Sequence, residues 1–168
     1  MNTCYISIGS NIEPEYHLVM ALKELRLLSH GQLRVSRIFQ AEPVGFDGDS
    51  FYNCVVEIKT SSSVDILQSS LKALEIKYGR PIDAKKNQDR TLDLDILLFG
   101  NEIRERDPQL PRDDLYKFAF VLWPMYELAQ NLWCQMMGAL LLNFIARSNF
   151  NNNYSQLHWP PIVIKDNK

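Results

Sequence analysis

The chain has 168 residues, 46% of them hydrophobic and 11% aromatic, and 18 Lys plus Arg nearly balance 20 Asp plus Glu. That size suits one domain with its own core, and the composition argues against disorder, a polybasic nucleic-acid coat or an acidic tail. Cys4, Cys54 and Cys134 form no Cys-x-x-Cys pair, and His17, His30 and His158 are scattered, so neither a disulfide framework nor a zinc knuckle is expected. The first residues carry no charged leader, and the apolar stretch 132–145 is broken by Gln135 and Asn143. The expected compartment is the cytoplasm, with no membrane or nucleic-acid partner.

Residues 3–8 alternate and are β-rich, which predicts a first strand; Gly9-Ser10-Asn11 turns the chain. Pro14 suits the first turn of a helix whose stripe is Leu18, Ala21, Leu22, Leu25 and Leu28, with Gly31 as its stop. Residues 33–40 predict a second strand, followed by a turn-rich loop through Glu42, Pro43, Val44, Gly45 and Asp47-Gly48-Asp49. Residues 51–59 predict a third strand. Alternation puts Tyr52, Cys54, Val56 and Ile58 on one face, and Phe51, Asn53, Val55 and Glu57 on the other. Ser62 or Ser63 can cap a helix carrying Val64, Leu67, Leu71, Leu74 and Tyr78, which Gly79 ends. A basic loop follows, then a fourth strand over 92–99. Residues 118–128 predict short helices broken at Pro124, and 132–146 a last amphipathic helix. The Asn-rich tail from Asn149 is expected to be weakly anchored. The order β-α-β-β-α-β followed by helices is the ferredoxin-like pattern: an α+β fold with an antiparallel sheet backed by helices and extra C-terminal helices. One domain is expected over residues 1–150, with a polar tail over 151–168.

The chemistry concentrates at Arg90-Thr91-Leu92-Asp93-Leu94-Asp95-Ile96. On a strand, Asp93 and Asp95 share one face, while Leu92, Leu94 and Ile96 share the other. Two adjacent carboxylates repel unless a cation joins them, and a few hard oxygen ligands suit Mg²⁺ with phosphate. A solvent-facing strand with two chance aspartates fits the same pattern. Lys77, Arg80, Lys85, Lys86 and Arg90 outweigh Asp83 and Asp89, so this segment carries +3 in a chain of −2. Such a loop could clamp a polyphosphate, or simply be solvated. Phe51 beside Asn53 could hold a flat heterocycle by stacking and hydrogen bonding, or line an ordinary half-buried strand. Glu75, beside the Leu71–Leu74 stripe, could orient a ligand or sit at a helix edge. There is no Walker phosphate loop and no Gly-x-Gly-x-x-Gly.

Gly9-Ser10-Asn11, Glu42-Pro43-Val44-Gly45, Phe51-Tyr52-Asn53, Glu75 with Gly79-Arg80, the Arg90–Ile96 stretch, and Phe120-Val121-Leu122 then Pro124 occur in this order. The series resembles the 6-hydroxymethyl-7,8-dihydropterin pyrophosphokinases of folate biosynthesis. The resemblance implies that ATP donates its β,γ-diphosphate to the pterin hydroxymethyl group, leaving AMP, by positioning and charge neutralisation. It implies that Asp93 and Asp95 hold two Mg²⁺ ions, and that Asp95 or a water receives the hydroxyl proton. Phe51 and Phe120 would sandwich the pterin, Asn53 would bond its polar edge, and Ala41, Glu42, Pro43 and Val44 would read the rest. Arg80 and Arg90 would act on the phosphates, with Glu75, Lys86, Ile96, Arg112 and Lys117 on the nucleotide side. A monomer is expected.

The departures fall on the ATP side. A family arginine two residues after Arg80 is Ile82 here, and a loop tryptophan is Asn87, next to Lys86. The family's Pro-His reads Pro111-Arg112, and an arginine two residues before the stacking phenylalanine is Phe118, next to Lys117. A slow kinase or a non-catalytic pterin-binding relative is therefore the alternative. A regulatory or nucleic-acid module is a weaker one, since it has little use for paired strand aspartates.

Overall fold

The computed structural model describes residues 1–85 and 87–130 and the backbone of 163–165. Strand β1 (Asn2–Ser10) leads into helix α1 (Pro14–Leu28), then β2 (Leu33–Val35), β3 (Ile38–Ala41), β4 (Phe51–Thr60) and α2 (Val64–Lys77). Strand β5 (Asp93–Phe99), α3 (Asp114–Lys117), α4 (Ala119–Leu128) and β6 (Val163–Lys165) complete the described elements. The sheet runs β5-β1-β4-β3-β6, with β2 also on β4, and every pairing is antiparallel. Taking β2 and β3 as one divided strand, this is the expected ferredoxin-like order, and the α+β class stands.

Helix α1 starts with Pro14 at its first position, where a missing N–H costs nothing. Just past its end, Gly31 has a φ of 85°, a left-handed conformation, and its N–H returns to the Arg26 carbonyl at 2.8 Å. For α2 the cap is Ser63 rather than Ser62: the Ser63 hydroxyl accepts the Ile66 N–H. Both helices lie on one sheet face. Ile6, Ile8, Cys54, Val56, Ile58, Leu92, Leu94 and Ile96 meet Leu18, Leu25, Leu67 and Leu71 there, all buried. The opposite face carries Tyr5, Val55, Leu97 and Leu98, covered by Leu115 of α3 and by Val121, Met125 and Leu128 of α4. The alternation read for residues 51–59 and 92–96 is the one observed.

A bulge decides how β5 serves the two faces. Tyr5 pairs with Leu98 but Ile6 pairs with Ile96, so Leu97 is an extra residue. As a result Asp93, Asp95, Leu97 and Leu98 all belong to the α4 face.

Three expectations need correction. Residues 33–40 are not one strand. At Ser36 a side chain replaces the backbone, its hydroxyl accepting the Val55 N–H at 3.0 Å, while the Arg37 N–H goes to Glu127 of α4 at 2.9 Å. Pro124 does not break its helix. The break falls at Phe118, which is extended (φ −123°, ψ 124°), and α4 passes through Pro124, which removes one ladder donor but packs into the core. The tail is anchored at Val163–Lys165, which pairs with Ile38–Gln40. The helix expected over 132–146 lies outside the described residues.

Leu71 is fully buried at the centre of α2. Leu71→Ala should lower the unfolding free energy by about 2–5 kcal/mol in urea titration, without changing the fold seen by far-UV circular dichroism.

Candidate active site

The central strand β1 brings the two halves of the site together. Gly9 lies opposite Asn53 on β4 and opposite Asp93 on β5; Ser7 lies opposite Val55 and Asp95. Asn53 and Phe51 therefore stand on one side of β1, and the two aspartates on the other, on the same sheet face. A Cβ at position 9 would lie 3.2 Å from the Asn53 amide oxygen, 3.8 Å from the Phe51 ring and 3.9 Å from the Asp93 Cβ. The glycine keeps the floor open between them. Above that floor is a cavity of about 410 Å³, large enough for a drug-sized ligand.

One end of the cavity is aromatic. Phe51 of β4 and Phe120 of α4 both line it, with the loop residues Ala41, Glu42, Pro43, Val44 and Phe46. Phe46 meets Phe51 edge-on with ring centroids 6.3 Å apart. Phe118 stacks on Phe120, 5.1 Å between centroids and 13° between planes. The Asn53 amide also donates to the Phe51 carbonyl at 3.3 Å, which orients it along the floor.

The other end is ionic. Asp93 accepts from Arg80 at 2.7 Å and from Arg90. Asp95 has Arg112 at 3.1 Å on one oxygen and Lys72 at 3.8 Å on the other, and Arg112 also bonds Asp114. Burial foremost, then the neighbouring Asp93 charge, pushes the Asp95 carboxyl up to about 6, against the pull of Arg112 and Lys72. Two such carboxylates offer hard oxygens to a divalent cation, which would relieve their repulsion, so the donor set fits Mg²⁺.

Beneath them lies Glu75, only 1% exposed. Its carboxylate accepts the Leu94 N–H at 2.7 Å and pairs with Lys72 at 3.0 Å and Arg80 at 2.8 Å. Leu94 is the residue between the two aspartates. Glu75 therefore ties α2 to the strand that presents them, and holds Arg80 against Asp93. It is spent inside the protein and does not line the cavity.

Asn11 secures the rim. Its amide nitrogen donates to the Asp49 carbonyl at 3.0 Å and to Asp89 at 2.6 Å, and its oxygen accepts the Arg90 N–H at 2.7 Å. The loop before β4 and the loop before β5 are thus joined at the end of β1. Asn87 and Gln88 of the second loop reach the cavity wall.

Of the residues singled out in the sequence, Ala41, Glu42, Pro43, Val44, Phe51, Asn53, Arg90, Asp93, Asp95, Arg112 and Phe120 line this one cavity. Arg80 stands behind Asp93. Three expectations differ. Glu75 is internal, as described. The Ile96 side chain is buried in the α1–α2 face, pointing away from the cavity, so only its backbone could meet a ligand. Lys117 is outside the cavity lining and pairs with Asp113 at 2.8 Å. Lys86 lies outside the described residues. Ser7, Phe46, Gln88 and Asp114 also line the cavity and were not anticipated. Phe46, amid turn residues next to Pro43, was findable as an apolar residue with no strand or helix to serve. Ser7 depended on strand register.

An aromatic slot joined to a carboxylate-guanidinium cluster has the chemistry for a planar ligand at one end and for a polyphosphate with its cation at the other. Residues 5–130 match the profile of the 7,8-dihydro-6-hydroxymethylpterin-pyrophosphokinase family. The chain is 37% identical over 136 residues to the 2-amino-4-hydroxy-6-hydroxymethyldihydropteridine pyrophosphokinase of Haemophilus influenzae, covering 79% of this chain and 84% of that protein. The pyrophosphokinase of the same name from Bacillus subtilis is 36% identical, over 78% of this chain and 80% of its own length. That from Pseudomonas aeruginosa is 36% identical, over 76% and 81%. The chain belongs to this family and is an enzyme of the transferase class. Among the described residues no helix is long and apolar enough to cross a membrane.

Glu75→Ala would leave Arg80 and the Leu94 N–H without their buried partner. It should destabilise the fold by about 3–5 kcal/mol in denaturant titration, and Glu75→Gln by clearly less, since an amide oxygen can still accept from Leu94.

Proposed function

We propose that this chain transfers the β,γ-diphosphate of ATP to the hydroxymethyl group of 6-hydroxymethyl-7,8-dihydropterin, releasing AMP. The observation that carries the reading is the open floor at Gly9, which joins the aromatic slot to Asp93 and Asp95 in one cavity. A pterin between Phe51 and Phe120, with its polar edge on Asn53 and the backbone of Ala41–Val44, has its hydroxymethyl arm aimed across Gly9 toward the carboxylates.

Asp93 and Asp95 would hold two Mg²⁺ ions, which neutralise charge on the triphosphate. Arg90, on the cavity wall, is free to exchange part of its hold on Asp93 for phosphate oxygens, and Arg80 supports it from behind. Asp95, which lines the same cavity as the aromatic slot, is the candidate acceptor of the hydroxyl proton. The protein is read as a cytoplasmic monomer acting on small molecules alone.

Two departures bear on rate. Phe118 adds a ring stacked on Phe120 but supplies no cation, and Arg112 spends its charge on Asp95 and Asp114. A slow pyrophosphokinase is the form of this reading that these observations favour. Incubation with ATP, Mg²⁺ and the hydroxymethyl pterin tests it. AMP formed in step with pterin diphosphate supports the reading; pterin binding by calorimetry with no AMP above background overturns it.

Asp95→Ala should lower AMP formation at least about 10³-fold, because it removes an anchor of the transition-state charge; an undiminished rate would refute the assignment. Asp95 binds a cation only when deprotonated, and in the metal-free protein burial and the Asp93 charge push its carboxyl up to about 6. Magnesium affinity in the presence of a non-hydrolysable ATP analogue should therefore be level above pH 7 and fall up to about tenfold per unit below pH 6. A flat profile from pH 7 to 5 would contradict it.

A further inference from the structure

Arg112 stands where a metal ligand is most affected by it. Its backbone N–H donates to the Leu97 carbonyl at 3.0 Å, and Leu97 is the extra residue of the β5 bulge. Two residues earlier, buried Leu110 exchanges backbone hydrogen bonds with Arg104, at 2.8 and 3.0 Å. The guanidinium is thus delivered from a fixed backbone. It then divides between two acids: a terminal nitrogen lies 3.1 Å from Asp95 Oδ2, and Nε bonds Asp114 Oδ2. Lys72 contributes less to Asp95, at 3.8 Å from the other oxygen, because it is hydrogen-bonded to Glu75.

The surrounding charges balance. Lys72, Arg80, Arg90 and Arg112 form one chain of ion pairs with Glu75, Asp93, Asp95 and Asp114. A divalent cation arriving alone would add positive charge to a balanced cluster, and on Asp95 it would meet the Arg112 guanidinium, 3.1 Å from one carboxylate oxygen. A triphosphate arriving with the cation changes both conditions. It brings compensating negative charge, and it offers Arg112 another planar, bidentate acceptor of the kind a guanidinium fits. Arg112 and Asp114 both line the cavity, so the side chain can make this exchange without crossing the core.

We propose that Arg112 is an exchangeable counter-cation: it holds Asp95 and Asp114 in the nucleotide-free protein, and passes to the triphosphate as the metal takes Asp95. Metal and nucleotide binding are then coupled through this one side chain, which acts as a positioning residue for Asp95. The inference rests on the pyrophosphokinase reading above and adds to it the order in which the site can fill.

The test reads binding rather than turnover. Mg²⁺ is titrated calorimetrically, and Mn²⁺ by electron paramagnetic resonance, into wild type, Arg112→Gln and Arg112→His at pH 8, where a histidine is neutral. Each titration is run alone and with α,β-methylene ATP. In wild type the metal alone should bind weakly and the analogue should tighten it strongly. In both variants the metal alone should bind about tenfold tighter than in wild type, and the analogue should tighten it about tenfold less. Metal affinity in the variants no higher than in wild type, or an unchanged effect of the analogue, overturns the proposal. Wild type that binds neither metal nor analogue overturns the pyrophosphokinase reading itself, and this inference with it. Melting curves verify the fold, and either substitution alone reads the same quantity if the other does not fold.

Discussion

Asp93 and Asp95 repel each other, and much of the molecule is arranged around that repulsion. They sit two residues apart on one face of β5, partly out of water, where burial and mutual charge push Asp95 up to about 6. Arg80 and Arg90 neutralise Asp93, and Arg112 with Lys72 neutralises Asp95. Glu75, fully internal, holds two of these cations and the backbone between the acids. A site that carries its own counter-charges can stay folded without a metal, yet still present two hard carboxylates to one.

The second constraint is geometric. β1 lies between β4 and β5, so its register sets which residue of the aromatic strand faces which aspartate. The crossing point is Gly9. A side chain there would press on the Asn53 amide oxygen and narrow the floor between the aromatic slot and Asp93. Asn11, three residues before the helix begins, joins the two rim loops to the end of the same strand. Substrate slot, ion cluster and rim therefore all hang on one central strand.

Much of this was legible in the residues. The period-two pattern of residues 92–96 put both aspartates opposite Leu92, Leu94 and Ile96, and the structure places them so. Proline and glycine marked the bounds of α1 and the end of α2 because their backbone preferences act locally. What failed was non-local. The division of residues 33–40 comes from Ser36 bonding Val55 and Arg37 bonding Glu127, partners far away in the chain. In the sequence Glu75 could orient a ligand or sit at a helix edge; α2 turns it under β5, where it accepts the Leu94 N–H.

The sequence by itself determined the class of fold, the chemistry of the ligands and the family. Those depend on residue type and short spacing, which helices and strands convert directly into faces. Only the tertiary structure decided which cations meet which carboxylates, and that Arg112 rests on Asp95 rather than standing free for phosphate. The bulge at Leu97, the register of β1 and the packing of α2 under β5 made those choices. Each is a contact between segments far apart in the chain, set by how the faces pack and not by any local preference.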